Sequence, residues 1–170
     1  MSEGSGGEVM RRCEAVFEIL QRVNRYFEDF SVGQTCRGGP VSIDAGDIKA
    51  FAAKFDPQPF HLDERAAAQS IFKGLAASGW HTAALTMRMM VQALGAGGHF
   101  IGIEIDDLRW PLAVRPGDIL RVEIEIAEMR SLRSRPDYGL VKLIVTTTNQ
   151  AAQPVQHMRA TTLIGRRDDH

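Results

Sequence analysis

Three shortages narrow what this sequence can be. Cysteine is nearly missing: Cys13 and Cys36 stand far apart, without a second Cys or His at metal-ligand spacing. Neither a disulfide framework nor a zinc site is expected, and both thiols are read as reduced. Net charge is nearly missing too, since 20 Lys and Arg face 21 Asp and Glu for a formal charge of -1. That balance gives no overall pull on phosphate backbones or anionic lipid, so neither nucleic acid nor a membrane is an expected partner. Long apolar runs are the third shortage. The opening Met1-Ser2-Glu3-Gly4-Ser5-Gly6-Gly7 is small and polar, unlike a signal peptide or a membrane span, and the cytoplasm is the expected compartment. A Gly-rich phosphate loop, a dinucleotide fingerprint and internal repeats are also missing.

What is present describes one soluble domain, with 44% hydrophobic and 24% charged residues in a chain of 170, enough for a single sizeable core. Val9, Cys13, Val16, Phe17, Leu20 and Val23 recur at helical spacing, predicting an amphipathic helix in an N-terminal extension over residues 1–25. The domain proper is placed at 26–165 and a tail at 166–170. Thr35 to Ile43 reads as extended, interrupted by Gly38-Gly39-Pro40. Asp44 is suited to cap a helix whose apolar face is Ile48, Phe51, Ala52 and Phe55 and whose end delivers Asp56. Pro57 and Pro59 then stop regular helix, and His61 lies at the junction with a short helix around Leu62 to Gln69.

Ser78-Gly79 starts a longer helix running to Leu94. Its Ala83, Ala84, Leu85, Met87, Met89, Met90, Val91 and Leu94 cover most of the circumference, which predicts burial inside a wrapping sheet. Arg88 must then find water or a partner. Beyond it the period changes to two. Ile101, Ile103 and Ile105 alternate with other residues, Leu120, Val122, Ile124 and Ile126 alternate with polar ones, and further extended runs occupy Leu140 to Thr148 and Val155 to Ile164. Short links at Arg115-Pro116-Gly117-Asp118 and Asn149 to Pro154 imply an antiparallel sheet. One buried helix with such a sheet is an α+β layer arrangement.

Phe55-Asp56-Pro57-Gln58-Pro59-Phe60-His61 resembles the motif Gly-Asp-x-Asn-Pro-x-His of the MaoC-like dehydratases and (R)-specific enoyl-CoA hydratases, matching its Asp, second Pro and His. Phe72 to Trp80 resembles the family's approach to a His-Gly pair at the central helix, with Gly79 as that glycine. Trp110-Pro111-Leu112 and Arg115 to Leu120 resemble the strand, turn and strand that follow. The likeness runs from about Tyr26 to Ile164 and implies a single hot-dog domain, an antiparallel sheet around a buried central helix. Phe55 replaces Gly, Gln58 replaces Asn, Ser78 replaces the His, and Met87 stands where a thioester-binding serine is often found. Gln keeps an amide on a longer stem, so an equivalent hydrogen bond requires the backbone to shift.

The resemblance implies that Asp56 and His61 hold one water, His61 exchanging its proton and Asp56 orienting it. Adding water to an enoyl thioester needs proton transfer and a donor for the enolate-like oxygen. Gly79 at a helix N-terminus offers an unpaired N–H within a favourable dipole, and Gln58, Ser78 and Trp80 are the other substrate-side candidates. Taken singly, Asp56 and His61 read as structural; together, ahead of Gly79, they read as a catalytic pair. Ser78 is an N-cap rather than a nucleophile, and His81, a lone helical histidine, is left outside the catalytic set. Trp80 either shapes an acyl tunnel or anchors the core. Arg109, Arg130, Arg133 and Arg135 read as a solvated face, with coenzyme A phosphate contacts as the alternative. The implied reaction is reversible hydration of an acyl-CoA or acyl-carrier-protein thioester, with coenzyme A only as part of the substrate and no metal or other cofactor. A hot-dog thioesterase and a silent acyl-CoA-binding module are the competing readings. Family members pair their sheets, so a homodimer or higher homo-oligomer is expected.

Overall fold

The computed structural model describes residues 25–95 and 99–167; the amphipathic stripe from Val9 to Val23 lies outside the described residues. After a 3-10 turn at Phe27–Asp29 come β1 (Thr35–Ser42), α1 (Ala45–Phe55), α2 (Pro59–Leu62), α3 (Glu64–Gln69), α4 (Gly79–Leu94), β2 (Phe100–Arg109), β3 (Ile119–Ser131), β4 (Tyr138–Thr148) and β5 (Pro154–Gly165). The strands form one antiparallel sheet in the order β1-β3-β4-β5-β2. It packs around α4 in the expected hot-dog arrangement.

The period-two pattern fixes which face of the sheet is wet. On β3, Leu120, Val122, Ile124 and Ile126 are buried while Arg121, Glu123 and Glu125 are exposed. Register carries the apolar row across the sheet, with Ile124 opposite Val145 and Val145 opposite Met158. Against this row α4 places Met89, Met90 and Leu94, all fully buried. Burying an aliphatic side chain of this size stabilises by about 1.5–3 kcal/mol.

β1 crosses the helix where the sequence suggested an interruption. A Cβ at Gly38 would lie 2.7 Å from the Met89 carbonyl oxygen, so only glycine lets strand and helix backbones touch there. The strand continues past it with a register shift between Gly38 and Val41.

Capping follows the sequence closely. Asp44 Oδ1 accepts the Asp47 N–H at 2.8 Å, and Asp47 Oδ2 accepts the Asp44 N–H in return, a reciprocal capping box for α1. Asp63 caps α3 through the Ala66 N–H.

α4 departs from expectation in one respect. His81, Thr82, Thr86, Met89, Met90 and Leu94 are buried, but Ala84 and Arg88 are exposed and Trp80 is 60% exposed. Residues 80, 84 and 88 share one line of the helix, and the sheet of a single chain wraps the opposite side. Arg88 therefore meets solvent. β2 is an edge strand whose Ile101, Ile103 and Ile105 are also exposed. Among the described residues no helix is long and apolar enough to cross a membrane.

Candidate active site

Asp56 is where α1 stops. Its φ of -152° and ψ of 70° leave helical space while its N–H still bonds Ala52 O, and Pro57 prevents the helix from continuing. Pro59 then opens α2 at a position where its missing N–H costs nothing. That single turn brings His61 back over Asp56, with His61 4% exposed.

The segment before α4 settles the histidine's chemistry. The Arg115 guanidinium donates to the carbonyls of Phe72, Gly74 and Leu75, and the Ala77 N–H donates to Val114 O, so the β2–β3 connection pins residues 72–77. The Ala76 carbonyl so held lies 2.7 Å from His61 Nδ1. A carbonyl only accepts, so the proton of the neutral imidazole sits on Nδ1 and Nε2 keeps its lone pair. Nε2 faces Asp56 Oδ2 at 3.5 Å. This exceeds an ordinary N–H···O bond and leaves both atoms able to engage one small molecule in front of them.

The start of α4 completes the carboxylate's surroundings. Ser78 Oγ donates to Asp56 Oδ2 at 2.7 Å and accepts the Trp80 N–H at 3.2 Å. Gln58 Nε2 donates to Asp56 Oδ1 at 2.9 Å, made possible by the turn in which the Gln58 N–H bonds Asp56 O. The Ser78 hydroxyl foremost, then the Gln58 amide and the nearby His61 ring, hold the Asp56 carboxyl below the usual carboxylate range, against the opposing pull of burial.

Gly79 is confined for a steric reason as well as a chemical one. A Cβ there would sit 2.7 Å from Trp110 Cδ2, so the indole lies directly on the first turn of α4. Trp110 is itself fixed by Nε1–H donation to Gln156 Oε1 at 2.9 Å. As the first residue of the helix, Gly79 has an N–H with no intrahelical acceptor, at the positive end of the helix dipole.

Asp56, Gln58, His61, Ser78, Gly79 and Trp80 all line one cavity of about 320 Å³. Phe60, Phe72, Thr82, Trp110, Leu112 and Val114 make most of its remaining wall. The sequence nominated none of these as site residues. Trp110 carried the one available signal, as one of two tryptophans in a segment of family-like sequence. Trp80 stands at the rim with its ring edge-on to Trp110, centroids 5.6 Å apart, too exposed for a core anchor. His81 points elsewhere: it is 8% exposed and stacks flat on Phe51 at 4.5 Å. Burial pushes its pKa down, with Asp47 opposing. Arg109, Arg130, Arg133 and Arg135 are exposed and outside the cavity wall. Among the described residues no three His, Cys, Asp or Glu side chains gather as metal ligands.

Residues 29–149 match the family described as MaoC like domain. A MaoC-like dehydratase from Rhodospirillum rubrum is 44% identical in structural alignment, covering 85% of this chain and 99% of that one with a TM-score of 0.78. An R-hydratase from Pseudomonas aeruginosa is 30% identical over 85% of this chain and 88% of that one, with a TM-score of 0.70. A Methylorubrum extorquens protein named 3-hydroxybutyryl-CoA dehydratase is 36% identical over 112 residues, 65% of this chain and 69% of that protein.

Proposed function

The chain belongs to the MaoC-like domain family, and from that premise we propose that it is an (R)-specific enoyl-thioester hydratase, working in reverse as a 3-hydroxyacyl-thioester dehydratase. The observation that carries this reading is the meeting of His61 Nε2 and Asp56 Oδ2, 3.5 Å apart, on a cavity that also holds the Gly79 helix start. The names of the Pseudomonas and Methylorubrum relatives add support for hydration chemistry and, in the second case, for a coenzyme A thioester.

In the hydration direction a water held by Asp56 gives a proton to His61 Nε2 as its oxygen bonds to the β-carbon of the enoyl group. The double-bond electrons move toward the α-carbon and the thioester oxygen, where the Gly79 N–H meets the developing negative charge. The α-carbon then takes a proton from His61, and both groups return to their starting states. Asp56 works as an anion throughout, consistent with its depressed pKa, and the mechanism calls for no bound cofactor. Loss of one donor of the Gly79 type costs about 3 kcal/mol of transition-state stabilisation.

The test is a panel of enoyl-CoA and enoyl-carrier-protein substrates followed simultaneously by enoyl absorbance and free thiol. Loss of absorbance without thiol is the expected result. Thiol release would replace this reading with thioester hydrolysis, and tight acyl-CoA binding without turnover across the panel would make the domain a binding module.

We further propose that the working unit is a homodimer. The unpaired edge of β2, with Ile101, Ile103 and Ile105 exposed on it, leaves apolar strand surface uncovered, the kind of edge that soluble proteins cover.

A further inference from the structure

Ser78 occupies the position where the family pattern has histidine, and its hydroxyl is committed on both sides. The residue is 1% exposed. Its oxygen accepts from the Trp80 amide, which cannot accept in return, so its single proton is directed at Asp56 Oδ2, 2.7 Å away. That oxygen is also the one facing His61 Nε2. The other, Oδ1, is held by the Gln58 amide. The carboxylate therefore has a donor on each oxygen, and the donor on the reactive oxygen is tied to the first turn of α4.

We propose that Ser78 is a positioning residue: through the relay from Trp80 N–H to Ser78 Oγ–H to Asp56 Oδ2, it fixes the direction and the ionisation of the carboxylate beside His61. The kinetic part of this inference rests on the hydratase reading; the ionisation part does not. His61, from α2, is the titratable side chain facing Asp56. α4 contributes no formal charge there, only the Ser78 hydroxyl and the helix N-terminus. A bare capping role makes a different forecast. Glycine replaces serine at an N-cap with little loss of helix stability, so a cap alone predicts that Ser78→Gly leaves Asp56 untouched.

The experiment follows the Asp56 side-chain carboxyl by carbon NMR across the acid range, in the full chain, for wild type, Ser78→Gly, Ser78→Cys and Ser78→Thr. Thermal unfolding confirms that each is folded. The hydroxyl-free Gly variant and the weakly donating Cys variant are expected to raise the Asp56 titration by about one pH unit or more, and Thr to keep it near wild type. With an active substrate, kcat/KM for hydration near neutral pH should fall in Gly and Cys, where the carboxylate loses its fixed direction, and be restored in Thr. An unchanged Asp56 titration in either folded Gly or Cys variant overturns the proposal. A shifted titration in a protein that hydrates no enoyl thioester would leave the relay standing and remove the assigned reaction, so the two failures are distinguishable.

Discussion

At His61 one backbone carbonyl decides which ring nitrogen can work. With Nδ1–H committed to Ala76 O, Nε2 is the nitrogen left to exchange a proton in the proposed reaction, in which Asp56 would supply the negative charge beside it. Removing either group removes a different part of the same event. Asp56→Asn keeps the shape and loses the charge; His61→Ala loses the proton carrier. Each should lower kcat/KM for hydration by about a hundredfold or more, while circular dichroism and dimer mass stay unchanged. In the proposed mechanism both act on one water, so the double variant should be little worse than either single one. Near-wild-type turnover in a folded single variant would contradict the mechanism. Gly79 makes a steric test at the same scale. The 2.7 Å approach to Trp110 means that Gly79→Ala must displace the indole or the helix start. Calorimetry should show a destabilisation of about 1–3 kcal/mol, typical of overpacking.

Among the elements, α1 and α4 are coupled by a stacked ring pair outside the cavity wall. His81 stacks on Phe51 and burial depresses its pKa. A histidine with a folded pKa below its unfolded value binds fewer protons in the native state. Its contribution to stability is therefore complete above the unfolded pKa, about 6.5, and is lost as pH falls from there through the folded value. His81→Phe keeps the stack and removes the titration. Its melting temperature should fall less than that of wild type between about pH 7.5 and pH 5.5. An equal or steeper fall in the variant would show that the acid sensitivity arises elsewhere.

For the whole molecule, an unpaired β2 edge lies on the same chain as a helix covered on one side only. Pairing with a second copy would satisfy the strand's open backbone groups and bury its isoleucines together. Sedimentation should give a dimer mass or a multiple of it, independent of dilution through the working range. Ile103, 52% exposed, is a suitable probe, because Ile103→Arg should shift the mass toward monomer while leaving the folded core intact. A wild-type monomer at every concentration would refute the dimer.

The sequence alone determined the parts of this protein that depend on local chemistry. Period-two alternation gave β3 its wet and dry faces, Asp44 and Ser78 marked the helix starts, and the prolines placed the break between Asp56 and His61. The spacing of Asp56, Pro59 and His61 together with Gly79 was enough to nominate residues that the fold gathers on one cavity. Tertiary structure decided everything that depends on segments distant in the chain. It brought Trp110 against Gly79, set Ala76 O against His61 by way of Arg115, and turned Ser78 Oγ toward Asp56 across 22 positions of sequence. It also left one side of α4 open, with Trp80 and Ala84 exposed beside Arg88, although apolar residues over most of that helix's circumference predicted burial inside a wrapping sheet. The physical reason is the same in each case: a periodic pattern states which side of an element avoids water, whereas the partner on that side is chosen by packing against other elements.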